Sequence, residues 1–454
     1  MTGHRKKGSV FTPVALTLGI FYAAAIVLAQ PPSPPVDRGP RSGAAGAGGP
    51  IAGLSVKEAK FFDAGLDEFN EIASPAGGGE DTEEGLGPRF NLTGCATCHA
   101  HPAVGGTSPA QNPQVNATNP VAADPTLFAA QVQPLLLMNI IRADGPVREV
   151  RFASDGGVHD LFTITGLPGS NGCVINQPDF AGNLADLRFR IPTPTFGLGL
   201  IEAIEDKTII DGTNNTAFGI SGRVNRNGND GTVTRFGWKA QNKSLVIFSG
   251  EAYNVEQGIT NELFPDERGE GGMPDPDNCR HTVEAPQDLV HYELTQPQKL
   301  IDNVNAFANF MRFLAPPTPV ASFPGATAAS VQAGSGLFDT VGCNACHVRS
   351  MMTGPHITAA LSNKQVNLFS DLLLHDLGIS NGDGIGQGVA TGDEFRTAPL
   401  WGLGQRLFFM HDGRANDLLS AIAAHGGEAA TVVGNYNALS NQQKQDLINF
   451  LRSL

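Results

Sequence analysis

Two five-residue stretches constrain this chain more than any other feature: Cys95-Ala96-Thr97-Cys98-His99 and Cys343-Asn344-Ala345-Cys346-His347. Each reads C-x-x-C-H, the pattern to which a c-type haem is attached. The spacing has a chemical reason. Two thiols so placed can add across the two vinyl groups of one macrocycle, and the adjacent imidazole then lies under the iron. A redox C-x-x-C or half of a zinc site is the alternative. Neither requires His directly after the second Cys, twice, in a chain with 6 cysteines. Two covalently bound haem c groups are therefore expected, on Cys95, Cys98 and His99 and on Cys343, Cys346 and His347.

Residues 1–29 read as a signal peptide. Arg5, Lys6 and Lys7 precede an apolar run from Val10 to Ala29, and Val27-Leu28-Ala29 is a plausible cleavage site. An uncleaved anchor is the alternative. Either way the bulk of the chain is expected in the periplasm or outside the cell, which agrees with haem attachment outside the cytoplasm. No later stretch is apolar and long enough to span a bilayer. Residues 30–50, rich in Pro, Gly and Ala, read as a flexible linker. The formal net charge of -14 argues against nucleic acid and anionic membranes as partners. The 55 glycines and 31 prolines predict long loops around modest helices.

The expected fold is mainly α. Ala59, Phe62, Leu66 and Phe69 recur at helical spacing behind a possible N-cap, Ser55. Leu127–Ile141 predicts a helix interrupted at Pro134. Residues 219–238 alternate around an Asn/Gly/Asp turn and predict a short β-ribbon. Leu294–Leu314 predicts a strong helix, ended by the Pro-rich stretch 316–319. Ser330–Thr340 and Ala438–Leu454 predict two more. The halves look duplicated. Asn309-Phe310-Met311-Arg312-Phe313-Leu314 matches Asn449-Phe450-Leu451-Arg452-Ser453-Leu454, and Phe189-Arg190…Gly197-Leu198-Gly199 matches Phe395-Arg396…Gly402-Leu403-Gly404. This order suits two cytochrome c-like helical domains, 51–317 and 318–454, the first enlarged by long loops and the β-ribbon.

The chain resembles the di-haem oxidoreductases of the bacterial cytochrome c peroxidase superfamily, nearest the branch of di-haem peroxidases sometimes labelled thiol oxidoreductases. The matching stretches include Cys95–Gly106, Phe196–Ile204, Arg235–Ala240, Gly258–Pro265, Phe369–Gly378, Arg396–Gly404 and Phe409–Ala415, followed by His425-Gly426-Gly427-Glu428-Ala429. The resemblance implies that one haem receives electrons and the other, in the N-terminal half, reduces hydrogen peroxide. It implies a small soluble electron donor of cytochrome c or cupredoxin type. It also implies a Ca2+ ion between the domains, for which no ligand loop stands out here, and a Trp between the haems, either Trp238 or Trp401.

What faces each iron opposite its His decides the chemistry. Met410, downstream of the second motif, is the expected thioether ligand there, with His411 as its rival. Counting the same distance from Gly199 as Met410 lies from Gly404 reaches Glu205. The first iron is therefore expected to be open or weakly ligated, with Glu202 and Glu205 as candidate catalytic acids; solvated positions at a helix end are the alternative. His101, His159, His281 and His291 are candidates that could close that site. His375 is read as a propionate partner or a group behind the ligands, and Arg396 and Arg414 as propionate partners. Cys173 and Cys279 are expected to form a disulfide in an oxidising compartment. The expected activity is a peroxidase-type oxidoreductase. An electron carrier with both irons saturated, or an oxidase of another small-molecule or protein substrate, remains open.

Overall fold

In the computed structural model of the chain, Ser55 caps the first helix, α1 (Val56–Asn70). Its hydroxyl accepts from Glu58 N, and the Glu58 carboxylate reaches back to Ser55 N, 2.7 Å. The structure describes residues 1–4, 8, 33–77, 82–115, 125–167, 169–170, 172–269, 279, 286–288 and 302–454. The expected signal segment lies almost wholly outside the described residues. Pro34–Leu454 forms one unit by its contacts, apart from Met1–Ser33. Eleven α-helices occur among the described residues. No strand exceeds four residues, and the strands pair in sheets of two or three. Mainly helical architecture with small sheets follows.

Two helix crossings organise the unit. α1 packs on α7 (Asn303–Phe313), and α8 (Ala328–Val341) packs on α11 (Asn441–Ser453). Each partner is capped by a side chain: Asp302 accepts from Asn305 N, Thr327 from Ser330 N, and Ser440 from Gln443 N. Both crossings use a glycine at the point of closest approach. A Cβ on Gly65 would strike the Ala306 carbonyl and Phe310, and a Cβ on Gly334 would strike the Asp446 carbonyl and Phe450. In the repeat, Asp446 stands where Ala306 stands and Phe450 where Phe310 stands. The Gly-Leu-Gly turns repeat the same way: Gly199 abuts the Arg312 carbonyl and Gly404 the Arg452 carbonyl. The duplication is therefore visible in packing as well as in sequence.

Other expectations are met with adjustments. The helix Pro125–Leu137 runs through Pro134 and continues to Leu137, because a proline removes one N–H without ending a helix that its flanks support. The β-ribbon is present but short, Asn225–Arg226 against Val233–Thr234. The start of the helix expected from Leu294 lies outside the described residues. Residues 33–50 are not the expected loose linker. Asp37 pairs with Arg452 at 2.7 Å, both nearly inaccessible, and accepts from Leu418 N at 2.6 Å. Gly46 and Gly49 carbonyls accept from Thr318 N and Ala315 N at 3.0 and 2.9 Å. One carboxylate and a run of backbone bonds thus strap this Pro/Gly segment across the ends of α7 and α11. No helix among the described residues is long and apolar enough to cross a membrane.

Candidate functional site: two cavities at the C-x-x-C-H motifs

The first motif folds as a single turn, α2 (Cys95–Cys98), and His99 N closes it on the Cys95 carbonyl at 3.0 Å. The second forms a 3-10 turn, Cys343–Ala345, with His347 N on the Cys343 carbonyl at 2.9 Å. A helical turn presents both thiols and the imidazole to one side. None of the four motif cysteines is in a disulfide, whereas Cys173 and Cys279 are joined in the expected one. Each motif opens on a cavity.

The two motif imidazoles are prepared alike. His99 Nδ1 donates to the Gly106 carbonyl at 2.9 Å, and His347 Nδ1 to the Phe369 carbonyl at 3.0 Å. Burial lowers both, His347 to about 4. Each ring is therefore neutral, with Nδ1 tied to a carbonyl as in a metal-ligating His; the Thr193 carbonyl also acts on His99.

The second cavity is lined by Phe338, Leu447 and Leu451 from the α8–α11 crossing, by Met410, and by four histidines: His347, His375, His411 and His425. Among the described residues no carboxylate lines it. Met410 has a positive φ of 66°. His411 stacks on Phe395 at 4.3 Å and is lowered to about 4 by burial. His425 closes α9 (Leu418–Ala424) and donates from Nδ1 to the Ala421 carbonyl at 2.7 Å, and desolvation lowers its pKa. It therefore shares the preparation of the two motif histidines, and its charge, after burial, is the next cause depressing His347. Sequence reasoning quoted His425 within a matched stretch but did not weigh it as a ligand. His375 sits between Asp371 at 2.9 Å and Glu428 at 3.0 Å, beside Cys346 Sγ at 3.7 Å. Burial pulls it down, but Asp371 and the Cys346 sulfur outweigh that and raise it to about 11. Cys346, Asp371 and His375 lie within 4.8 Å of one another by their ligand atoms.

The charge on the cavity walls tests whether a haem fits. Arg396 and Arg406 line the second cavity and are buried, and no carboxylate pairs with either among the described residues. Arg396 Nε donates to the Gly237 carbonyl and Arg406 Nε to the Phe408 carbonyl, both at 3.0 Å, while Arg406 Nη2 has no partner. Burial lowers both to about 10. Arg396 has the Asp371 charge near it and Arg406 has none; buried guanidiniums on this wall favour an anionic ligand, and a haem carries two propionates. In the first cavity Arg148 Nε has no partner. The expected partner Arg414 instead bonds Asp412 and the Ser380 carbonyl, both at 2.7 Å, and lines neither cavity.

Trp238 lines both cavities. Its Nε1 donates to the Ile191 carbonyl at 2.9 Å, and Ile191 N donates to the His411 carbonyl at 2.8 Å. Trp401 packs against Gly197 and lines neither.

The structure corrects the expected acids. Glu202 accepts from Arg312 Nε at 2.7 Å and from Leu245 N at 2.9 Å, and does not line the first cavity. Glu205 is the N-cap residue of α5 (Asp206–Gly212), packs against Gly354, and does not line it either. The count from the Gly-Leu-Gly turn fails for a physical reason. After it the first half continues as helix α4 (Leu198–Glu202), whereas the second makes only the 3-10 turn Leu403–Gln405 before running out towards Met410. The acids on the first cavity are Glu149 and Glu256. Arg151 Nε donates to Glu149 at 2.5 Å. Glu256, on α6 (Leu245–Gln257), is raised to about 8 by burial and then by Glu149, Glu251 and Asp160. His101 donates to the Gln405 carbonyl at 2.7 Å and His159 pairs with Asp155 at 3.0 Å; neither lines the first cavity. His281 and His291 lie outside the described residues.

No curated protein matches the chain. Among solved structures it is similar to hydrazine synthase of Kuenenia stuttgartiensis, determined under xenon pressure: 18% identity, 58% of this chain and 88% of that chain covered, TM-score 0.23. A likeness of that size carries no structural argument. A family profile described as "Di-haem oxidoreductase, putative peroxidase" matches residues 181–454, more than half of the chain and including the second motif, its cavity and Trp238. The chain therefore belongs to the di-haem oxidoreductase family.

Proposed function

We propose that this protein is an exported c-type di-haem oxidoreductase that reduces a peroxide at the first cavity with electrons entering at the second. One observation carries this reading. Among the described residues, carboxylates line the first cavity and none lines the second, while the second holds four imidazoles and the first His99 alone. A site with extra nitrogen ligands favours electron transfer; a site with a proton donor and few ligands favours substrate chemistry. Met311 also lines the first cavity, but its repeat partner Leu451 lines the second, which marks the position as packing.

In this reading Cys95, Cys98, Cys343 and Cys346 hold the two haems by thioether bonds, and His99 and His347 are the proximal ligands. The bound haem supplies one-electron redox chemistry and, where a face is free, a coordination place for peroxide. Arg148, Arg396 and Arg406 meet propionates. Glu256 moves a proton from the inner to the outer peroxide oxygen, so that peroxide, two electrons and two protons leave as two waters. Trp238 stands in the wall that electrons cross. His425, with Nδ1 tied to the Ala421 carbonyl and Nε2 left to bind, would be the second protein ligand to the iron held by His347, ahead of the Met410 thioether. The repeated crossings support two cytochrome c-like domains, 51–317 and 318–454. A small soluble cytochrome c or cupredoxin is the proposed donor.

Low-temperature EPR of the oxidised holoprotein, with a cyanide titration before and after partial reduction, tests the assignment. One iron should accept cyanide and the other should stay low-spin. Two low-spin irons inert to cyanide in both states would leave an electron carrier instead. His425→Ala should open the second iron to cyanide, whereas Met410→Leu should leave it low-spin; the reverse result would restore Met410 as the ligand.

A further inference from the structure

Lys239 is fully buried, and its ammonium is enclosed by oxygen. Nζ lies 3.1 Å from Asp383 Oδ1, and donates to the carbonyls of Thr391 at 2.8 Å, Glu394 at 2.9 Å and Gly392 at 3.2 Å. Its open side lies over the Phe395 ring, 4.1 Å from the centroid. The other charges nearby are already matched. Arg190 Nη2 meets Asp383 Oδ2 at 2.6 Å, and the Glu394 carboxylate is bound by Arg223. Burial lowers Lys239 only to about 8, so the ammonium is charged at neutral pH.

The cage adjoins the wall between the cavities. Trp238 precedes Lys239 in the chain, and its carbonyl accepts from Arg396 N at 2.9 Å. Phe395, beneath the ammonium, stacks on His411 in the second cavity. Arg190, across Asp383, lines the first. One buried cation thus joins the strand Leu187–Arg190, the Trp238 segment and the loop 383–394.

We propose that Lys239 is a tethered cation. Its ammonium fills an oxygen cage that fixes Trp238 between the two cavities, and the same cage takes a free monovalent cation when the side chain is shortened. The class of ion follows from charge and count. Arg190 already offsets the one carboxylate, so a divalent ion would leave a large buried excess of positive charge. Four protein oxygens also fall short of the six to eight that calcium gathers. Potassium and methylammonium suit the space an ammonium vacates. The proposal stands on this cage and not on peroxide chemistry.

The test uses the holoprotein carrying Lys239→Ala or Lys239→Met, followed by thermal melting and by EPR of the iron in the second cavity. Both variants should melt roughly 5 °C below the parent, since a buried charge loses its partner. Potassium or methylammonium chloride should restore at least half of the Lys239→Ala loss, saturably, and return the EPR line shape towards the parent. Choline chloride at equal ionic strength should not. Lys239→Met should not respond, because its side chain occupies the space. The proposal is overturned if Lys239→Met melts with the parent, or if the Lys239→Ala loss ignores both cations. Should Lys239→Ala yield no holoprotein, Lys239→Met decides: packing is kept and charge is lost, so a parent-like melt refutes the cage.

Discussion

At the scale of the residue, function follows from which polar groups are left without a protein partner in a dry place. Arg396 and Arg406 line a cavity with no carboxylate on its walls among the described residues, and Arg406 Nη2 has no partner, so an anionic ligand would balance them. Glu256 is the counterpart in the first cavity. Its proton is held until about 8, against an ordinary 4.5, by burial and by neighbouring carboxylates. The consequence for stability has a definite sign. Between those two values the folded chain keeps a proton that the unfolded chain has lost, so stability should fall as pH rises through that window. Glu256→Gln should flatten that fall, seen as melting temperatures that vary less than the parent's between about pH 5 and 8. The same variant should slow peroxide turnover by roughly 100-fold or more while cyanide still binds. Unchanged turnover would remove Glu256 from the chemistry while leaving the peroxidase reading standing.

At the scale of the element, the two crossings are the same device built twice. A glycine on the earlier helix lets the later helix press its backbone and a phenylalanine against it: Gly65 with Phe310, Gly334 with Phe450. Phe338 and Phe450 pack edge to face at 5.5 Å, and Phe69 and Phe310 lie 4.7 Å apart. Each crossing also supplies the apolar wall of its cavity, through Phe307 and Met311 in one and Leu447 and Leu451 in the other. Gly334→Ala should cost about 1–3 kcal/mol by overpacking, measured by denaturant unfolding. It should also disturb the spectrum of the iron in the second cavity more than that of the first. Gly65→Ala should show the opposite preference.

At the scale of the whole molecule, the strap and the buried ions tie distant parts of the sequence together. Asp37 bonds both Arg452 on the last helix and the start of α9. Burial pushes its carboxyl up, but Arg452 and the Leu418 and Gly39 amides outweigh that and hold it below the usual range. Asp37→Asn should therefore destabilise the fold by about 3–5 kcal/mol, because it strands a buried guanidinium. Chemical denaturation at pH 7 would show it as a lower midpoint. A segment that merely tethered the protein would tolerate the change without effect.

Much of this was legible along the chain. The motifs located both cavities, the helical spacing located α1, α7, α8 and α11, and two short matching stretches announced the repeat. These are local signals: a capping box or an i, i+4 apolar pattern acts over a few residues, so it can be read there. Glu256, His425, Arg406 and the Lys239 cage were not legible, because each owes its role to groups far away in sequence. Glu202 and Glu205 illustrate the same limit from the other side. The repeat placed them by counting, but helix α4 turned Glu202 towards Arg312 and away from the cavity. Sequence by itself settled what kind of group this chain is built to hold and how many sites it has. Tertiary packing alone decided which acid, which imidazole and which tryptophan face those sites, since burial and the pairing of charge depend on contacts that no local pattern encodes.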